Sequence, residues 1–201
     1  MRTFRAIASL FVMPIILGSC GTNADDSSGD SSATTSTSHR PVIAAAVKPA
    51  PEQDPAGNKP VIFDPCEQIG DATISSAGFD PLTRERADQV HTGYAFIGCT
   101  FQRRENVQGA PHRVGALTIS STDITLDQFR QRQQGDLKEM TINGKPAISY
   151  KGLGNETCHV VMPGPDGSID LQIESMSAFT DWSACDHAKE IASTVESALP
   201  K

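Results

Sequence analysis

Apolar and polar positions fall into three regimes along the chain. Ala6 to Leu17 is almost continuously apolar. Gly21 to Ser38 holds no Val, Ile, Leu or aromatic residue. Beyond Pro60, apolar residues recur at the spacings of strands and helices. Ile169, Leu171 and Ile173 alternate with Asp170, Gln172 and Glu174, which predicts a half-exposed antiparallel strand. Cys158, Val160 and Met162 alternate with His159 and Val161 in the same way, and Pro163 to Gly167 is the turn between the two strands. Further strands are predicted over Tyr94–Phe101, weakened by Gly98, and over Val114–Ser120. Met140–Ile142 and Ala147–Tyr150 flank Asn143-Gly144, a hairpin signal.

Three helical stretches complete the pattern. Asp64-Pro65-Cys66-Glu67 reads as a helix start, with Asp64 as N-cap, Pro65 at the first helical position and Glu67 closing a capping box. Gly70-Asp71 interrupts this helix, and Asp71 is expected to cap a second turn running to Gly78. Thr125 to Gln128 is a second capping box, opening a short helix with Leu126 and Phe129 on its apolar side and Gly135 at its end. Ser183 is the expected N-cap of the last helix, whose stripe is Cys185, Ala188, Ile191, Ala192, Val195 and Leu199. The expectation is an α+β fold: a single antiparallel sheet covered by N-terminal, middle and C-terminal helices.

The apolar run near the start is preceded by Arg2 and Arg5, as in an export signal. It is shorter than the about 20 residues a membrane-crossing helix needs. It ends in Leu17-Gly18-Ser19-Cys20, an aliphatic residue, two small ones and a cysteine, which resembles the bacterial lipobox. By that resemblance residues 1–19 are a lipoprotein signal peptide, and Cys20 becomes the N-terminus carrying a diacylglyceryl thioether. Residues 20–60 are expected to be a disordered tether, Ser/Thr-rich and then stiffened by Pro41, Pro49, Pro51, Pro55 and Pro60. Residues 61–201 are the expected extracytoplasmic domain.

Charge narrows the partners. Of 201 residues, 17 are Lys or Arg and 24 are Asp or Glu, a formal charge of −7. The five basic and five acidic side chains of residues 1–60 cancel, so the whole excess lies on the domain. That balance argues against nucleic acid and against electrostatic adhesion to membranes, so a lipid on Cys20 is what would hold the chain there.

Setting Cys20 aside, Cys66, Cys99, Cys158 and Cys185 are an even set in an exported domain, which suggests two disulfides. Three pairings are possible. The simplest staples each helix start to its nearest strand, Cys66 to Cys99 and Cys158 to Cys185. A metal site built on Cys158-His159 and Cys185-Asp186-His187 is the sharper alternative. It is disfavoured because adjacent residues of a strand point to opposite faces and no close-spaced cysteine pair is present. No metal and no cofactor is therefore expected.

No nucleophile elbow, phosphate-binding loop or dinucleotide fingerprint occurs, and His91, His112, His159 and His187 are scattered. Lys151-Gly152-Leu153-Gly154-Asn155 reads as a loop between strands, and Trp182, beside Phe179, as a staple on the last helix. A non-enzymatic role is expected. The lipobox, the tether, Asp64-Pro65-Cys66, Gly98-Cys99-Thr100-Phe101, Ile142 to Ala147, Cys158-His159-Val160 and Cys185 to Ala188 occur in this order. The chain so resembles the actinobacterial cell-envelope lipoproteins built on the domain of unknown function 3558, including the Lpr-type lipoproteins of mycobacteria. The resemblance implies an outer-surface lipoprotein of the cell membrane, and it carries no activity, ligand or catalytic residue. Two roles remain foremost: a tethered binding or scaffold module for an envelope protein or wall component, or a carrier of a lipid or other apolar ligand. An enzyme is a distant third.

Overall fold

The alternating stretch at Ile169 forms a central strand of one eight-stranded antiparallel sheet in the computed structural model, which describes residues 41–56, 59–133, 135, 137–152 and 156–201. The strands are β1 (Asp80–Arg86), β2 (Gln89–His91), β3 (Tyr94–Val107), β4 (Ala110–Thr122), β5 (Lys138–Ile142), β6 (Lys145–Lys151), β7 (Thr157–Pro163) and β8 (Ser168–Ser175). Their order across the sheet is β1-β3-β4-β8-β7-β6-β5, with β2 paired beside β1 on the outer side of β3. The helices are α1 (Pro65–Gln68), α2 (Asp71–Ser76), α3 (Leu126–Arg132) and α4 (Ala184–Glu196). Among the described residues no helix is long and apolar enough to cross a membrane.

Strand register explains how the helices divide. One rung runs Phe101, Leu117, Ile173, Cys158, Lys151, and the neighbouring one Cys99, Ile119, Leu171, Val160, Ser149, Lys138. Their apolar members bury against α1, α2 and α4 in the main core, with Ile74, Ile191 and Val195 from the helices and Ile69 from the end of α1. The other face of the sheet presents Ile148 and Val161, which pack with Leu126 and Phe129 of α3. Both rungs change from apolar to polar on β6, and that change creates the site described below.

Local sequence accounts for most junctions. Asn143 and Gly144 take positive φ in the β5–β6 turn, and the capping box at Thr125 and Gln128 is formed with both reciprocal bonds. Asp64 caps α1 by accepting from the Cys66 N–H at 2.9 Å. Two expected caps are replaced. Asp71 opens α2 as its first helical residue, with Gly70 at the N-cap, and its carboxylate instead accepts from the Ala44 N–H and from Arg84. Ser183 makes no capping bond, and the Ala184 N–H donates to Ser175 Oγ across the core.

The folded body reaches further toward the N-terminus than the composition suggests. Within the stretch expected to be tether, the Ala44 N–H donates to Asp71 of α2 at 2.7 Å. Val47 packs against the main core. Gln53 brackets Val61 with two side-chain hydrogen bonds of 2.8 and 2.9 Å, mimicking a strand partner for proline-rich chain that cannot supply a regular ladder. Residues 1–40 lie outside the described residues, and with them the signal, the lipobox and Cys20.

Of the two expected disulfides, Cys66–Cys99 is formed. Cys158 and Cys185, expected to be the second pair, are free thiols facing each other between β7 and the first turn of α4, close enough to hydrogen-bond.

Candidate functional site

A groove of about 600 Å³ lies where the two rungs turn polar and α4 no longer covers them. Strand alternation supplies its floor: Lys138 and Met140 from β5, Ser149 and Lys151 from β6, Cys158 from β7. Helical spacing supplies its wall, since Cys185, Ala188 and Lys189 stand three and four residues apart on α4. Leu137 closes one end. Such a volume falls within the roughly 300–1,000 Å³ of small-ligand sites.

The wall is held in place at the far end of α4. Asn143, in the β5–β6 turn, donates to the Ser193 carbonyl at 2.9 Å and to Glu196 Oε2 at 2.7 Å, and Lys145 Nζ meets Glu196 Oε1 at 2.6 Å. The Lys145 and Asn143 hydrogen bonds hold the Glu196 carboxyl below its usual pKa. A buried carboxylate with two charge-assisted partners is a rigid joint between hairpin and helix.

At the groove floor, burial and the hydrogen bond to Cys185 push the Cys158 thiol up to about 12, against the opposing pull of Lys151 and Lys138. It therefore stays protonated at neutral pH and is a weak nucleophile. Burial, with Asp170 nearby, likewise raises the Tyr150 phenol. The groove offers apolar surface and ammonium charge rather than an activated nucleophile or base.

The other sequence-derived candidates sit elsewhere. His159 points to the opposite face from Cys158, with Nδ1 at 3.1 Å from Asp170 and its ring stacked on Tyr150 at 4.6 Å, so adjacent Cys and His do diverge. His187 stacks on Trp182 at 5.5 Å, and Arg103 covers Trp182 at 4.9 Å from the ring centroid. Trp182 also meets Phe79 edge-on, which places it as a packing residue between α4 and the end of α2. Leu153 to Asn155 of the glycine-rich loop lie outside the described residues.

Residues 15–198 match the family described as protein of unknown function (DUF3558). The chain belongs to that family. No curated protein and no solved structure matches it. The match supports the family named from the cysteine order and brings no lipoprotein character, activity or site residue with it.

Sequence reasoning passed over Lys138 and Lys189 and read Lys151 as loop, whereas it is the last residue of β6. Their signal was present: Lys138 and Met140 share one face of β5, and Ser149 and Lys151 break the core face of β6 after Ala147. It was legible only with the pairing register, because the three charges lie on three separate elements.

Proposed function

We propose that this DUF3558 member is a lipid-anchored protein of the cell envelope, facing outward from the membrane, with a non-catalytic binding or scaffold body. The observation that carries the anchor is the order Leu17-Gly18-Ser19-Cys20 at the end of a short apolar run that follows two arginines. Two or three acyl chains on Cys20 hold a body of this size firmly, since each buried methylene contributes about 0.8 kcal/mol. The test is Cys20→Ser in the full chain. The variant is expected to leave the membrane fraction, while the wild type stays there and shows the acyl mass on its N-terminal peptide. Retention of the variant at wild-type level sinks the anchor.

The exported state implies a second disulfide. Cys158 and Cys185 already face one another, and an oxidising compartment supplies the electron acceptor that bond formation needs. Protein isolated from the envelope is expected to take up no thiol-alkylating reagent until it is reduced, and then four equivalents in the folded body. Two alkylated thiols before reduction would leave Cys66–Cys99 as the single bond of the body.

A second reading, a carrier of an apolar ligand, is favoured by the groove alone. Phe101, Ile119, Leu171 and Met162 are fully buried and packed together.

A further inference from the structure

The basic side chains of the described body divide into two groups. Arg84, Arg86, Arg103, Arg113, Arg130 and Lys145 each have a carboxylate partner. Lys138, Lys151 and Lys189 have none among the described residues and all three border the groove, whereas Lys48, Lys59, Arg104, Arg132 and Lys201, which also have none, do not line it. Among the described residues no Asp or Glu lines it. In a body that carries the whole −7 excess of the chain, three unpaired ammonium groups around one concavity are a local reversal of charge. Between them lie Leu137, Met140, Ala188 and the two thiols, an apolar surface beside the hydroxyls of Ser149 and Tyr150.

We infer that the groove binds a fatty acid, its single chain lying on Met140 and Ala188 and its carboxylate held by Lys138, Lys151 and Lys189. The inference rests on reading the body as a binding module and names what it binds. The concavity is of small-ligand size, whereas a protein partner needs roughly 800 Å² of each surface. An inorganic anion would leave Leu137, Met140 and Ala188 uncovered. No arginine lines the groove, so an anionic head there meets point charges rather than the forked donors that grip a carboxylate or a phosphate in two places. Lysines act as point charges, and Ser149 on the same floor adds a neutral donor suited to a carboxylate.

The full chain carrying Cys20→Ser, which removes the competing acyl chains, is titrated calorimetrically with laurate below its micelle concentration. One-to-one binding is expected, weakening by about fourfold for each methylene removed from the chain. Dodecyl phosphate and dodecyltrimethylammonium are expected to bind at least 10-fold more weakly. The combined variant Lys138→Gln, Lys151→Gln, Lys189→Gln is expected to lose about 10-fold or more for laurate with an unchanged melting temperature, because these exposed side chains support no described contact of the fold. Lys201→Gln, on the exposed C-terminal residue, is expected to bind as the parent does. Equal binding of laurate and the trimethylammonium compound overturns the carboxylate assignment and leaves an apolar carrier. Tighter binding of dodecyl phosphate overturns the fatty acid in favour of a phosphate head. Absence of saturable binding by all three, or laurate binding untouched by the lysine changes, overturns the groove as the site. The anchor through Cys20 is decided separately by fractionation.

Discussion

Arg84→Ala lowers the stability of the folded body by about 3–5 kcal/mol, the cost of breaking a buried charged network from one side. The Arg84 side chain is 0% exposed. Its Nη1 donates to the Cys66 carbonyl at 3.0 Å, and Nη2 to the Ile69 carbonyl at 3.1 Å and to Asp71 Oδ1 at 2.7 Å. The guanidinium lies 4.8 Å from the centroid of the Phe101 ring. A four-residue helix such as α1 cannot persist by its own hydrogen bonds. Its carbonyls at Cys66 and Ile69 are met by one side chain from β1, which also grips the start of α2. Removing that side chain strands two buried acceptors and leaves Asp71 without its cation. Arg84→Met keeps the stem against Phe101 and is expected to lose less than Arg84→Ala, because burying apolar bulk offsets part of the cavity. Urea unfolding of both variants checks this, with midpoints falling in that order and slopes unchanged. A midpoint for Arg84→Ala within about 1 kcal/mol of the parent would show that α1 is held by other means.

The same residue shows where sequence reading stops. β8 was legible because Ile169, Leu171 and Ile173 face the core while Asp170, Gln172 and Glu174 do not. The Asn143-Gly144 turn and the Thr125–Gln128 cap were legible because their chemistry is local. β1 was not. It buries Arg84 and leaves Leu82 70% exposed, the reverse of the usual pattern, around a register shift between Asp80 and Glu85. β2 exposes all three of its residues and is held by backbone pairing to β3, which no side-chain period announces. The ends of β3 and β4 extend as an arm to Gln108-Gly109, two positive-φ residues, through positions that are mostly polar. The groove failed to show for a related reason. Each of its elements reads as ordinary amphipathic structure, and only the rungs that join β5, β6 and β7 bring Lys138, Lys151 and Cys158 together beside α4. Polar residues on a core-facing register are the signal, and that register belongs to the sheet rather than to any one strand.

Loss of the Cys66–Cys99 bond is the second large effect. The bond closes a sequence separation of 33 residues, and both half-cystines are at most 1% exposed. Chain-entropy reasoning assigns about 3–4 kcal/mol to a loop of that length. The double variant Cys66→Ala, Cys99→Ala is expected to lose that amount. The loss should be concentrated locally, since α1 is otherwise tied down through Asp64–Arg86, Arg84 and Phe63, whose N–H donates to Asp166 Oδ2 at 2.8 Å. Hydrogen exchange is therefore expected to quicken first across residues 61–79, ahead of β7 and β8. The sharper consequence is non-additivity. Arg84 and the disulfide fasten the same short helix, so once the bond is gone part of what Arg84 contributes is already lost. Arg84→Ala on the disulfide-free background should cost at least about 1 kcal/mol less than on the parent, as expected of residues that share one element. Strict additivity in that cycle would mean that α1 stays docked without its disulfide, and that the covalent bond and the guanidinium hold separate parts of the fold.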